Sequence, residues 1–398
     1  MQEKIKPITV AALLPPPAWG GLHAHVEITS KAFKALGFGE IKPVIPSDEV
    51  ANPIAERFEK EGISVLRTPM SRIRFSPKPS HHIKYAKHIR SEVKALHKLT
   101  DEANIDVIQT AGAHHFHGLF SAKASKKPLI WQLHSDLAPS LARRGVSPII
   151  KSTANAIMVN GKRIAKKFHG IDRTNRPFHV FYPIVDVEKF TITQTDRIAA
   201  KKRLAVEDKV VIGTVGVRSR QKNHQLLIKA AHELSKTRED FTILIIGKDV
   251  SGGENDYIRD VVSLPETKSL TEKGLVQFIQ PELDIVDYLA AFDIFALSSI
   301  SEGMPIAVAE AMCAGLPVVS TDVGSMNEMV VSGFSGALVK PNNIHELSQA
   351  LLPLIENQEM RQLFGHASRE KCLMEFSPEN SAKIHQKAYR EALEHFQS

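Results

Sequence analysis

Short apolar runs alternate with helical patterns along nearly the whole chain. Residues 8–14 read as a buried strand; Leu22, Val26, Thr29, Phe33 and Leu36 then share one helical face, with Gly37 as the stop. Further strands are predicted at 42–45, 64–66, 107–110, 129–133, 156–159 and 178–182, with helical patterns between most of them. A second series starts near Lys209, with strands at 210–215, 242–246, 276–279, 294–297 and 318–320. Apolar runs this short, without polar alternation, suit strands covered on both faces, and their alternation with helices predicts doubly wound parallel α/β sheets. The polar stretch 186–205 reads as a linker, giving two domains of similar size, 1–190 and 206–377, followed by a polar helical pattern over 378–398. In such sheets ligands bind at the carboxyl ends of the strands, where the strand order reverses.

Composition narrows the class. The 398 residues are 43% hydrophobic and 24% charged, which excludes a disordered chain, a collagen-like chain and a coiled coil. The net charge of +7 is unevenly spread: residues 1–190 carry 29 Lys and Arg against 16 Asp and Glu, and the remainder carries 22 against 28. The two halves are therefore expected to meet different partners. Cys313 and Cys372 alone can build no disulfide framework or cysteine metal site, and a reducing cytoplasm fits them. The first residues do not form a signal-peptide pattern, and no apolar run approaches the ~18 residues of a membrane span, so any membrane contact is expected to be peripheral.

The most informative stretch runs from Ser301 through Glu302, Gly303, Met304, Pro305 and Ile306 to Glu310, and on to Gly315. A strand ends, a short acidic and glycine-bearing loop follows, and a helix begins with Pro305 suited to its first turn. Free N–H groups at such a start bind anions. Glu310 lies among Ile306, Ala307, Ala311 and Ala314, where a carboxylate is costly unless hydroxyl groups bond it. A second loop, Gly213 to His224, also joins a strand to a helix, and its Arg218, Arg220 and Lys222 can neutralise a leaving diphosphate. A third, Trp19-Gly20-Gly21, lets backbone approach a phosphate closely. His134 follows a strand, as do His114, His115 and His117; no carboxylate or cysteine spacing turns these into a metal site, and the latter three read as an acceptor-side wall or plain surface.

The 301–319 string, with Thr321–Gly324, Glu328, 333–336 and 338–341, resembles the E-x7-E region of retaining GT-B glycosyltransferases, in particular glycosyltransferase family 4. The resemblance covers most of 209–375 closely and the first half loosely. It implies two Rossmann-like domains facing a central cleft, with the helix at about 378–398 crossing back to the first. It also implies a nucleotide-diphospho-sugar donor, UDP- or GDP-linked, and no metal. Glu302 would contact the donor sugar, Glu310 the ribose, and Gly303, Met304, Pro305 and Ile306 phosphate and sugar. Lys222 matches the family lysine. Val217 stands where the family arginine belongs, so Arg218 or Arg220 would replace it, Arg218 being favoured. Phe278 and Ile279 resemble a wall of the base pocket, Gly20 and Gly21 the first glycine loop, and His134 the histidine that faces the sugar.

The reading that follows is a retaining hexosyltransferase acting on a glycan or lipid-linked acceptor in cell-surface polysaccharide, lipopolysaccharide or glycolipid synthesis. The alternatives are a GT-B sugar-nucleotide epimerase and a degenerate nucleotide-sugar-binding protein. Between Arg67 and Lys98 nine basic residues face a single acid, Glu92, with Ile83, Ala86, Ile89, Val93 and Leu96 expected on the buried side of the helix. That surface suits an anionic membrane at the inner face of the plasma membrane, or is simply a solvated charged helix. Nucleic acid is not expected, since no recognised nucleic-acid module is present.

Overall fold

The computed structural model describes residues 6–14, 21–71, 79–113, 115–134, 139–248 and 255–398, with backbone alone for 79–84 and 255. Trp19, Gly20, His114, Ser135, Asp136, Arg72, Arg74 and Lys78 lie outside the described residues. The chain divides into two compact units, Met1–Ile184 with Pro378–Ser398, and Val185–Ser377.

The first unit is built on seven strands: β1 (Ile8–Leu13), β2 (Gly39–Pro46), β3 (Leu66–Thr68), β4 (Val107–Ala111), β5 (Leu129–Leu133), β6 (Ala156–Asn160) and β7 (Phe178–Phe181). They are parallel throughout, in the order β3-β2-β1-β4-β5-β6-β7. β1 shows why its run is continuously apolar. Val10 and Ala12 join a core with Val26, Phe33, Phe58 and Tyr389, while Ala11 and Leu13 join another with Leu96, Leu119, Trp131 and Phe168. The helix Pro378–Gln397 packs into the first of these cores through Tyr389 and through Ala382, Ala388 and Ala392, whose small side chains allow a close approach.

The second unit has six parallel strands: β8 (Val210–Val215), β9 (Phe241–Ile246), β10 (Val276–Ile279), β11 (Ile294–Leu297), β12 (Val318–Thr321) and β13 (Gly336–Val339). Their order is β10-β9-β8-β11-β12-β13, so the order reverses between β8 and β11, with Phe295 opposite Gly213.

Three sequence expectations need correction. β13 escaped the pattern because it is four residues opening on glycine; a Cβ at Gly336 would come within 1.8 Å of the Val318 carbonyl oxygen, so only glycine lets the strand start beside β12. The polar stretch 186–205 is not an unstructured linker. It contains the helix Gln194–Arg203, started by a capping box between Thr193 and Asp196, and it belongs to the second unit. In the helix Pro79–Glu102 the buried side includes Glu92 and Leu96, whereas Ala86 is exposed.

Candidate functional site

The second unit brings two loops together at its switch point. The segment after β8 makes a tight turn at Arg220–Lys222, passes through left-handed Asn223 and enters the helix His224–Leu234. The segment after β11 runs from Ser298 to the helix Ile306–Cys313. Hydrogen bonds stitch the two: Ile300 N donates to Gln221 O (2.9 Å), Gln221 Nε2 to Ser301 O (2.8 Å), and Ser298 Oγ to Lys222 O (3.0 Å). Lys222 Nζ lies 2.7 Å from Glu302 Oε1, which also accepts from Ser299 Oγ at 2.6 Å. Only 8% of the Glu302 side chain and 20% of the Lys222 side chain is exposed. A carboxylate acceptor and an ammonium donor therefore stand side by side in a largely desolvated place, where each acts strongly on a ligand that separates them.

The Glu302 loop is pinned from beneath. Gly324 follows β12 with φ +58°, and a Cβ there would lie 2.3 Å from Glu302 O and 2.4 Å from Gly303 O. Ser325 N donates to Gly303 O at 2.9 Å. Gly324→Ala is therefore expected to push the Glu302–Gly303 peptide aside, lowering turnover at this site at least about tenfold at a stability cost of about 1–3 kcal/mol. Steady-state kinetics and urea unfolding of the variant measure the two effects, and unchanged kinetics would mean the pin is irrelevant.

The other residues of this site sit as follows. Met304 and Pro305 are buried, Gly303 is half-buried and Ile306 is 37% exposed. Pro305 is the N-cap of the helix rather than part of its first turn, since it holds an extended ψ of 121°. Glu310 is half-buried; burial raises its carboxyl pKa, opposed by Lys189 and reinforced by Asp284, two residues that pair with each other at 2.8 Å. Arg218 is 4% exposed and its N–H bonds Lys248 O. Arg220 instead turns outward, 3.6 Å from Asp260 and over the Tyr257 ring. Phe278 and Ile279 are half-buried at the end of edge strand β10. Sequence reasoning missed His224. It is buried beside these cations, and burial, then Lys222 and Arg218, push its pKa down to about 4, so it stays neutral and adds no third charge.

In the first unit Gly21 opens the helix Gly21–Ala35. His134 follows β5 and stacks in a cluster with His25, Phe181 and His385, the last contributed by the helix Pro378–Gln397. Burial, with the His385 ring adding, lowers the His134 pKa to about 3. His115 and His117 are not surface: both are buried, and His117 Nε2 lies 2.7 Å from Glu92, which also accepts from Ser71 Oγ at 2.8 Å. The single acid of the basic run is thereby turned inward, leaving Lys87, Arg90, Lys94 and Lys98 exposed. Cys313 and Cys372 are buried free thiols.

A cavity of about 810 Å³ opens at the opposite, N-terminal ends of the second sheet's strands. Its arginines are committed to backbone carbonyls: Arg197 to Phe292 and Ala314, Arg361 to Leu354 and Ile355, Arg369 to Cys313. Among the described residues no group of three His, Cys, Asp or Glu is placed to hold a metal ion, and no helix is long and apolar enough to cross a membrane.

Two family models match, glycosyl transferases group 1 over residues 196–371 and glycosyltransferase family 4 over residues 19–189. A D-inositol 3-phosphate glycosyltransferase of Corynebacterium jeikeium is 29% identical over 260 residues, covering 63% of this chain and 59% of that protein. The chain thus spans less than two thirds of that relative, and it spans 49% of an uncharacterized glycosyltransferase of Haemophilus influenzae, 29% identical over 180 residues. Among solved structures, Anabaena HepE in complex with UDP superposes with a TM-score of 0.77 at 20% identity, covering 96% of this chain and 98% of that one. A glycosyltransferase from Rickettsia africae superposes with a TM-score of 0.79 at 19% identity, covering 98% and 99%. The fold is that of the GT-B enzymes, two parallel-sheet α/β domains, and the chain belongs to the glycosyltransferase group 1 and family 4 proteins.

Proposed function

We propose that the chain is a retaining glycosyltransferase that takes a sugar from a UDP- or GDP-sugar and passes it to a glycan or lipid-linked acceptor. The observation that carries this is the Lys222–Glu302 pair at the switch point of the second sheet. A nucleotide-diphospho-sugar would separate the pair. Its diphosphate takes Lys222, buried Arg218 and the N–H groups at the start of the helix Ile306–Cys313, while a sugar hydroxyl donates to Glu302. Glu310, its pKa raised by burial, gains stability by accepting ribose hydroxyls. Cations fixed where charge develops on the leaving diphosphate lower the barrier without rearrangement. Retention follows if the acceptor attacks on the face the diphosphate leaves, the departing phosphate taking its proton. Lys222 and Arg218 supply the positive charge, so the reaction is proposed to run without a metal. His134 and the first unit serve the acceptor side, and its exposed Lys87, Arg90, Lys94 and Lys98 suit an anionic lipid surface. The UDP bound by HepE supports a uridine donor.

A panel of UDP-, GDP- and ADP-sugars, assayed for transfer and hydrolysis, tests the reading. Turnover of a UDP- or GDP-sugar is expected, lost in Arg218→Ala and kept within a few fold in Arg220→Ala, because Arg220 is engaged at the surface. Tight nucleotide binding without turnover would favour a degenerate binding protein, and release of free epimer would favour an epimerase. The same assays with anionic vesicles present should show the protein sedimenting with lipid at low salt; failure to do so removes the membrane part of the proposal.

A further inference from the structure

A buried polar network crosses the core of the first unit, and each link has a readable direction. The Tyr389 hydroxyl donates to Gln109 Oε1 at 2.7 Å, and Gln109 Nε2 donates to Gln132 Oε1 at 2.7 Å. Gln132 Nε2 lies 3.1 Å from His385 Nε2, and His385 Nδ1 lies 2.8 Å from Ser381 O. A carbonyl oxygen only accepts, so Nδ1 of His385 carries the hydrogen. An amide nitrogen only donates, so Nε2 of His385 presents a lone pair. His385 is thereby fixed as one neutral tautomer. His25 Nε2 lies 3.5 Å from the same atom, and facing a lone pair favours the tautomer of His25 that carries its hydrogen there.

His25 in turn meets the His134 ring edge-on, at 5.6 Å and 81°, while Phe181 meets it at 5.1 Å and 68°. Nε2 of His134 is buried and has no hydrogen-bond partner among the described residues. Asn160, which donates to His134 O at 3.4 Å, has its Oδ1 orphaned as well, and two unpartnered polar atoms beside a built network mark a candidate position for a ligand.

We infer that His385, near the end of the chain, is a positioning residue for His134: its Nε2 lone pair sets the tautomer of His25, and His25 with Phe181 holds the His134 ring so that its Nε2 meets a substrate hydroxyl. This rests on the reading of His134 as a residue of the acceptor side; the network does not. The titratable groups that bear on the cluster are the three histidine rings, Tyr389, whose ring lies 5.9 Å from that of His385, and His179 of β7, which is itself paired with Glu391 at 2.9 Å while Lys387 lies 3.8 Å from that carboxylate.

The experiment uses the full chain, labelled with ¹⁵N-histidine, and two variants. His385→Leu removes the lone pair, and His385→Gln restores an acceptor. In the wild type, imidazole nitrogen spectra should show His25 as the Nε2–H tautomer and His134 neutral from pH 8 to 5. In His385→Leu, His25 should populate both tautomers and His134 should begin to titrate in that range. The acid limb of donor turnover should move up by about one pH unit and kcat should fall about fivefold with little change in KM. His385→Gln should restore both. If His385→Leu does not fold, His385→Asn, too short to reach both donors, replaces it with the same expectation. Unchanged His25 and His134 spectra in the variant would overturn the inference, even with activity lost. Altered spectra with unaltered kcat and pH profile would also overturn it, since His134 would then not act on substrate. If the wild type turns over no donor, the glycosyltransferase reading fails, and the spectra still decide whether His385 sets the two rings.

Discussion

Lys222→Met lowers donor turnover by about 10³-fold or more, and Glu302→Ala does the same by a different route. In the proposed reading Lys222 is the cation for the leaving diphosphate, so its loss should remove nucleotide affinity and rate together. Glu302 is proposed to meet the sugar, so its loss should leave free UDP or GDP binding intact while kcat collapses. Thermal shift with the free nucleotide separates the two: Glu302→Ala keeps the shift and Lys222→Met loses it. Each change also strands its partner. Breaking the pair should cost roughly 1–3 kcal/mol, below the cost of a fully buried pair because Lys222 keeps a fifth of its surface exposed. Because both side chains act on one ligand, the double variant should be little worse than either single one. Near-normal transfer in either single variant would move the site elsewhere.

Acidification should destabilise the protein well before its carboxylates are protonated. Burial lowers the pKa of His25 well below its ordinary value, that of His385 to about 4 and that of His134 to about 3. The unfolded chain takes up protons on these rings below about pH 6.5, and the folded chain refuses them. Stability is therefore fully present above that value and is lost as the pH falls through the window down to about 4. Each such ring contributes up to about 1.4 kcal/mol per pH unit, so a loss of up to about 5 kcal/mol between pH 6.5 and 5 is expected from the three rings. Urea midpoints at pH 7, 6 and 5 measure it, and His385→Gln should flatten the slope. A midpoint that holds steady over that range would show that the cluster accommodates protons when folded.

Legibility from sequence differed by kind of feature. Strands with four or more consecutive apolar residues, such as 8–14 and 242–246, announced themselves, because a strand buried on both faces has no polar positions to break the run. β13 did not, since a four-residue strand opening on glycine carries no period. Glu302 and Lys222 could be singled out as chemistry, from a loop that starts a helix and a basic turn that starts another. Their contact could not, since eighty positions separate them and the strand order alone brings β8 beside β11. Glu92 stood out only as the single acid in a basic run, and no local signal placed it; His117 and Ser71 draw it inside.

Local periodicity, then, determined two parallel α/β sheets and the loops where chemistry could sit, because burial on a sheet or helix face leaves its mark on neighbouring residues. The tertiary structure alone decided which distant side chains meet: Lys222 with Glu302, Gly324 beneath both Glu302 and Gly303, and His385 with His25 and His134. Those pairings depend on strand order, on the return of the last helix to the first sheet, and on the loss of water around each group. A charge or a tautomer is set by what surrounds it in space, and that surrounding is assembled from segments up to 360 positions apart.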